Sequence, residues 1–506
     1  QAGAVEVRAH AKFAYESLWR GVVKLFFWFI IGGALVALAV YMLFSRVRSP
    51  IAAMIAQADA IAERRFITTA EPPYPELRRV VKSMNAMVLQ VKTMFDEQTE
   101  HILQLKQDAN RDTVTGLANR SFFMGRFASV LNDEDSSGNG LLFMLRLHQL
   151  AELNHSLGRQ ATDQLLNQIA ARLAKWDDQG DDWLAARLNG SDFALVTPEL
   201  DTPEEFAAQV LACICDLLDK PNFIHIGYGE FQKGEAQSVV LARVDAALAK
   251  AESRASNAVA QAAFQHAPQP NRHWQERLNA AIAEQTFVGA HFAVLDWQQR
   301  VIHQEIMLRL PDADGSIMSA GVFMPYALRF GLLPELDLAA LRLALAALST
   351  SKDDFAVNLS AQSISSLAFR AELSRMLAGA ALELRSRLWL EVNENGLKDV
   401  ESLANFAFEM KQQGVKVGIE HFGRYVGSMP RLYDLPLSYL KIDASFIHEI
   451  DQHHGNQQLV KAMVGMAANL GIQTIAEQVR TESEWQQLQK LGLTGVTGPI
   501  VASKML

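Results

Sequence analysis

Twenty consecutive residues from Leu25 to Phe44, LFFWFIIGGALVALAVYMLF, carry no charge. At about 1.5 Å rise per residue, a helix of that length crosses a hydrocarbon core of about 30 Å, so the stretch predicts a transmembrane helix over residues 25–44. A signal peptide would have a shorter apolar core and a small-residue cleavage site, whereas Ser45-Arg46-Val47-Arg48 follows here. Flanking charge leaves the orientation open: Arg8, Lys12, Arg20 and Lys24 precede the span, and Arg46, Arg48, Arg64 and Arg65 follow it. The chain starts at Gln1 and reads as a fragment or processed form, with residues 1–24 as an extracytoplasmic juxtamembrane tail.

One span accounts for little of a 506-residue chain, which exceeds what a single hydrophobic core supports, so several domains are expected. The formal charge of −9 removes any global electrostatic case for nucleic-acid binding. Cys213 and Cys215, the two cysteines, exclude a disulfide framework and suit packing within a helix. After the span, Pro50 opens a stretch with apolar residues at Ile51, Met54, Ile55, Ala58 and Ile61. A proline-rich break at residues 71–75 leads to a second amphipathic stretch. The pair resembles a HAMP relay (45–98), with Glu76, Leu77, Val80, Asn85 and Met87 in the signature of its second helix. Two such helices cannot bury their stripes alone, which implies a parallel homodimer. The apolar spacing continues through Phe95, Ile102 and Leu105 and predicts a signalling helix over 99–111.

Residues 112–256 alternate strand-like runs, such as Leu141 to Leu147 and Ala194 to Val196, with helical stretches, the pattern of an α/β sandwich. Asp112-x-x-Thr115-Gly116-Leu117-x-Asn119-Arg120 resembles the opening of GGDEF domains, the diguanylate cyclase fold. The resemblance implies a cyclase whose Mg²⁺ carboxylates are largely replaced. Arg146 falls where the family has its first metal Asp, and Asn189-Gly190-Ser191-Asp192-Phe193 aligns with the signature, with Asn189 and Ser191 as departures. The nucleotide-contacting Asn154 persists beside His155, and Gly180-Asp181-Asp182-Trp183 stands where a product-inhibition motif would lie. Phosphoryl transfer depends on cations neutralising developing charge, so a structural and dimerising module is expected, with Asp192 as a solvated or capping acid.

Residues 257–273 contain Pro268 and Pro270 without a sustained period and read as a linker. Beyond them, apolar runs at 355–360, 387–394, 415–423, 438–443 and 472–477 end in polar residues and are separated by helical stretches. That repetition predicts a (β/α)8 barrel with its polar groups on the C-terminal rim, although a doubly wound sheet repeats in the same way. Lys441 and Asp443, two apart on one expected strand, would share a face.

Over residues 274–506 these runs resemble EAL domains, the barrel that binds and hydrolyses cyclic di-GMP. The resemblance places Glu305 and Arg309 in the Glu-Ala-Leu-x-Arg stretch and Asn358 in Asn-Leu-Ser. It places Glu391 in Glu-Leu-Thr-Glu, Lys441 and Asp443 in Lys-Ile-Asp, and Glu477 in the late acidic motif. These seven are the expected ligand-binding residues. The departures are Glu420 and His421 for the paired Asp, Arg424-Tyr425-Val426 for Thr-Gly-Tyr, His291 for an early Gln, Arg480 for the second late Glu, and Thr497-Gly498-Pro499 for the final Gln-Gly-Tyr. Two-metal hydrolysis needs carboxylates placed closely around both ions, and Glu420 and His421 are expected to displace those ligands. No catalytic residue, metal site or required cofactor is therefore expected, while Arg309 could still clamp a phosphate. His303, His453 and His454 read as surface residues.

As a whole the chain reads as a multidomain protein: transmembrane helix, HAMP helices, α/β GGDEF-like domain and (β/α)8 EAL-like barrel. Segments such as QADAIAERRF, VFMPYALRFGLL and YLKIDASFI resemble LapD-type receptors of biofilm control. That family implies a homodimer in the bacterial inner membrane with its HAMP, GGDEF-like and EAL-like domains in the cytoplasm. Without ligand, the signalling helix and GGDEF-like domain occlude the barrel. Cyclic di-GMP releases them, and HAMP relays the change to a periplasmic domain that sequesters a LapG-type cysteine protease and so retains an adhesin. The retained Glu305 keeps a weakly active cyclic di-GMP phosphodiesterase as an alternative. A CsrD-type adaptor in regulatory-RNA turnover is another, with no direct nucleic-acid contact expected.

Overall fold

The computed structural model describes residues 11–62, 66–132, 139–148, 150–177, 183–217, 222–254, 256–262, 272–312, 315–394, 400–424, 432–433 and 435–505. Arg8, Arg64, Arg65, Gly180 to Asp182, most of the expected linker and Tyr425-Val426 lie outside the described residues. The chain divides into two units, residues 1–94 and 95–506.

In the first unit, helix α1 (Ala11–Ala62) is continuous through Pro50, where the sequence suggests a new start. A proline removes one backbone donor, and the helix continues past it. Its apolar window, Leu18–Met42, is 25 residues long, has a mean hydropathy of 2.3 and makes no contacts that bury it. Helix α2 (Pro75–Asn110) begins at the expected proline and carries the second amphipathic stretch and the signalling helix as one element. Asn85 ties the unit together: its amide donates to the Thr69 carbonyl at 2.8 Å and accepts from Thr69 N and from Gln57 Nε2 at 3.0 and 2.9 Å. Val81 and Val88 are buried, while Val80, Met87 and Met94, each seven residues apart, lie exposed one position away.

In the second unit, a five-stranded sheet is built from β1 (Gly140–Leu147), β2 (Leu184–Arg187), β3 (Asp192–Pro198), β4 (Ile224–Phe231) and β5 (Ala258–Gln261), in the order β2-β3-β1-β4-β5. The period-2 alternation of β1 creates two cores. Leu141, Phe143, Leu145 and Leu147 face one helical layer, and Leu142 and Met144 face another that includes Phe123 and Phe127 of helix α3 (Arg120–Asn132).

The second sheet is closed. It comprises β6 (Val288–Leu295), β7 (Val301–Pro311), β8 (Ile317–Ser319), β9 (Phe355–Leu359), β10 (Leu388–Asn393), β11 (Lys416–Phe422), β12 (Tyr439–Ile442), β13 (Gln473–Ala476) and β14 (Gly495–Val496). Strands β7 and β9–β14 pair in parallel along the barrel, and β6 closes it antiparallel between β7 and β14. This selects the barrel over the doubly wound sheet. Inward positions form two layers, as strand alternation requires. A lower apolar layer holds Val294, Ala356, Trp389, Tyr439 and Ile475. Gly418 makes room for it: a Cβ there would sit 2.4 Å from the Tyr439 ring. Two residues further along the strands, the upper layer is polar and contains Glu305, Asn358, Glu391, Glu420 and Lys441.

Candidate functional site

The polar layer is a buried charge cluster at the C-terminal mouth of the barrel. Lys441 Nζ on β12 donates to Glu391 Oε2 on β10 at 2.5 Å and lies 2.8 Å from Glu305 Oε1 on β7. Tyr439, two residues earlier on the same face, donates to Glu391 Oε1 at 3.1 Å. Burial would lower the Lys441 ammonium, yet Glu305 and Glu391 hold it well above its usual value. Burial would likewise raise Glu391, but the Lys441 charge outweighs it and brings the carboxyl down to about 2. Glu305 goes the other way: burial, only partly offset by Lys441, pushes it up to about 7. His303, Glu305 and Glu391 bring ligand atoms within 4.8 Å of one another and would supply the donors for a divalent ion, but with Lys441 seated both carboxylates are already paired to its ammonium.

His303 corrects an expectation. It is fully buried, with its ring 4.3 Å from Trp389 and Nε2 3.6 Å from Glu391 Oε1. Its spacing from Glu305, two residues along a strand, carried that information. Asp443 is also repositioned. It lies beyond the end of β12 and caps the short helix Ala444–Ile447, accepting from Ser445 N at 2.9 Å and Ser445 Oγ at 2.5 Å. A helix begins there because Asp-Ala-Ser supplies an N-cap oxygen and a following donor. Asp443 therefore does not join Lys441. It faces Arg424 Nη2 at 3.2 Å and His421 Nδ1 at 3.5 Å, and against the cost of burial the Arg424 charge and the His421 hydrogen bond hold its carboxyl well below the usual range.

Glu420 and His421 lie at the end of β11, next to this pair. The register between β11 and β12 shifts between Ile419 and Phe422, a bulge with His421 at a φ of 54°. A bulge lets consecutive residues depart from strict alternation. Glu420 and His421 thus converge with Glu477, their donor atoms all within 4.8 Å of one another. His421 Nδ1 donates to Glu477 Oε2 at 2.8 Å and its backbone N to Oε1 at 3.0 Å. This nitrogen-and-carboxylate set has the donors to hold one divalent ion if that hydrogen bond opens. Asn358 approaches Met307 Sδ at 3.8 Å. Arg309 stands apart from this cluster, with its guanidinium 5.5 Å over the Phe292 ring and a hydrogen bond to the Leu308 carbonyl. Thr497 donates its backbone N–H to Ala476 at the barrel edge.

The mouth is covered by other parts of the same unit. On α3, Gly125 approaches the Ser445 backbone so closely that a Cβ would lie 3.1 Å from its carbonyl. Beside it, the rings of Phe122 and Phe446 are 5.9 Å apart and Ser121 Oγ meets His453 Nε2 at 3.1 Å. His453 is thus an interdomain contact. Arg480 reaches from the rim to the Ala128 carbonyl at 3.5 Å. The end of α2 also lies on the rim: Lys106 Nζ donates to the Arg424 carbonyl at 3.0 Å, and Asp96 accepts from Tyr433 at 3.2 Å. Burial lowers Lys106 to about 8, partly offset by Glu394.

The sandwich carries a different arrangement. Arg146 on β1 makes a two-point contact with Asp192, at 2.9 and 3.0 Å, and also meets Glu252 at 3.4 Å and Asp245 at 3.6 Å. Asn189 and Ser191 donate to the same Asp192 carboxylate at 2.8 and 3.0 Å. Asp192 is therefore a buried ion-pair partner and not a solvated acid. Its carboxyl is held below the usual range by these bonds, against the cost of burial.

The unit thus joins an α/β sandwich to a (β/α)8 barrel with an acidic mouth. Residues 109–258 match the diguanylate cyclase GGDEF domain family and residues 275–504 the EAL domain family, so the chain is a GGDEF–EAL signalling protein. It is similar to the RNase E specificity factor CsrD of Escherichia coli, 24% identical over 437 residues, which cover 84% of this chain and 68% of that protein. It is also 26% identical over 428 residues to the bifunctional diguanylate cyclase/cyclic di-GMP phosphodiesterase MucR of Pseudomonas aeruginosa, covering 79% of this chain and 61% of MucR. Among solved structures, the Vibrio cholerae LapD S helix-GGDEF-EAL (apo) shares the fold with a TM-score of 0.71 at 23% identity, over 81% of this chain and all of that one.

Proposed function

We propose that the chain is a cyclic di-GMP receptor with little or no catalysis, anchored in the bacterial inner membrane with its two signalling domains in the cytoplasm. The observation that carries this reading is the covered mouth. Polar groups suited to a ligand converge there, yet α3 and the end of α2 lie across the rim, so a ligand binds only by displacing them. Binding and conformational change are then one equilibrium, because the ligand prefers the uncovered state. Moving such a switch from 1:99 to 99:1 takes about 5.5 kcal/mol of differential affinity, within reach of a dinucleotide with two phosphates. The Lys441 ammonium between Glu305 and Glu391 supports binding without a required metal, and the Arg146–Asp192 pair supports a cyclase-like domain used as a lid.

The exposed seven-residue stripe Val80, Met87 and Met94 supports a homodimer through HAMP-like helices. By likeness to the LapD architecture, release of α2 is relayed across the membrane to a periplasmic output that sequesters a LapG-type protease and so controls adhesin retention and biofilm formation. Similarity to CsrD favours a second reading, an adaptor in regulatory-RNA turnover. Calorimetry of the full chain with cyclic di-GMP separates them. Saturable binding supports the receptor, absence of binding at tens of micromolar supports the adaptor, and rapid linear product with Mg²⁺ or Mn²⁺ supports a phosphodiesterase.

A further inference from the structure

We infer that Arg424 is a phosphate-binding residue of the barrel, held on Asp443 while the mouth is covered and moved to a phosphodiester when ligand enters. The inference rests on the cyclic dinucleotide reading above. Arg424 follows β11 at the C-terminal rim, where barrel ligands bind. Its side chain is largely buried, with Nη2 3.2 Å from Asp443 Oδ2. Its own carbonyl is the acceptor for Lys106 Nζ at 3.0 Å. One residue therefore touches both the anion at the rim and the helix that covers it.

An anionic ligand entering this mouth meets Glu305, Glu391, Glu420 and Glu477, and Lys441 is already engaged by two of them. Rim cations must offset that field. Arg309 supplies one, over Phe292. A cyclic dinucleotide carries two phosphodiesters, and of the other rim guanidinium groups Arg480 is turned to the Ala128 carbonyl while Arg424 lies on the Asp443 carboxylate. A planar guanidinium offers five donors on separate edges and can exchange a carboxylate for a phosphate. Asp443 keeps His421 and both Ser445 donors when Arg424 leaves.

The test is calorimetry of detergent-solubilised full chain with cyclic di-GMP, comparing Arg424→Ala and Arg424→Lys in the wild-type protein and in a Gly125→Leu background whose lid cannot close on Ser445. The expected result is a loss of about tenfold for Arg424→Ala in both backgrounds and a loss of about three- to fivefold for Arg424→Lys, which keeps the charge but not the fork. If the side chain serves only to hold Asp443 in the covered state, the sign is opposite: Arg424→Ala tightens binding in the wild-type background and is silent beside Gly125→Leu. Either of those results overturns the inference, and Arg424→Lys carries the comparison if the alanine variant does not fold. Wild-type protein that binds no cyclic di-GMP removes the receptor reading itself, and this inference with it.

Discussion

Both carboxylate sites of this chain hold an internal cation, and the cations have left them in opposite conditions. In the sandwich, the Arg146 guanidinium takes both oxygens of Asp192 and reaches Glu252 and Asp245, so the acids of that site are spent on one side chain. In the barrel, Lys441 takes Glu305 and Glu391 and leaves Glu420, His421 and Glu477 as a second group beside them. The difference follows from the chemistry of the two cations. A guanidinium fork satisfies several carboxylates at once, whereas an ammonium is a compact point charge that pairs with the nearest two. One site is a self-satisfied ion pair, and the other stays polar and convergent.

The largest effect that can break this comparison is expected from Lys441→Met. It leaves Glu391 and Glu305 buried without their cation, a change that costs about 3–5 kcal/mol in buried pairs, read from the barrel's unfolding midpoint in the full chain. A change below about 1 kcal/mol there means that Lys441 is not what holds these carboxylates. Next comes the pH dependence of the same transition. Because Glu305 is raised to about 7 in the folded barrel, the folded state binds the extra proton. Its contribution to stability is therefore full below the usual Glu value of about 4.3 and is lost as pH rises through about 7. Glu305→Gln should flatten that decline, which amounts to a few kcal/mol at most; an unchanged slope places the titration elsewhere.

Gly125→Leu should raise cyclic di-GMP affinity by about tenfold, since relieving a closed state removes the population penalty on binding. Equal affinity in the two proteins shows that α3 does not compete with ligand. The smallest effect is expected from Arg146→Ala. With the side chain nearly a third exposed, the loss should be about 1 kcal/mol in the sandwich transition, with no change in ligand affinity. A change in affinity shows that the two sites communicate through Arg146.

The barrel strands were legible because each apolar run ends in a polar residue at the rim, and the polar layer was legible through the same positions. Asp443 was misplaced because strand periodicity does not reveal that an Asp-Ala-Ser sequence has begun a helix cap. The convergence of Glu420 and His421 on one carboxylate was not legible, because it depends on a bulge that abolishes strand alternation between Ile419 and Phe422. The contact of Lys106 with Arg424 and the approach of Gly125 to Ser445 carried no local signal. Those contacts join segments some three hundred residues apart, and only the packing of one domain on another creates them.

The receptor reading is tested most directly by titrating cyclic di-GMP into the full wild-type chain with divalent metals chelated, then following the ligand after Mg²⁺ or Mn²⁺ is restored. The account predicts saturable binding without metal, and ligand that remains intact after its addition. Binding that requires metal, or rapid linear hydrolysis once metal is present, contradicts it.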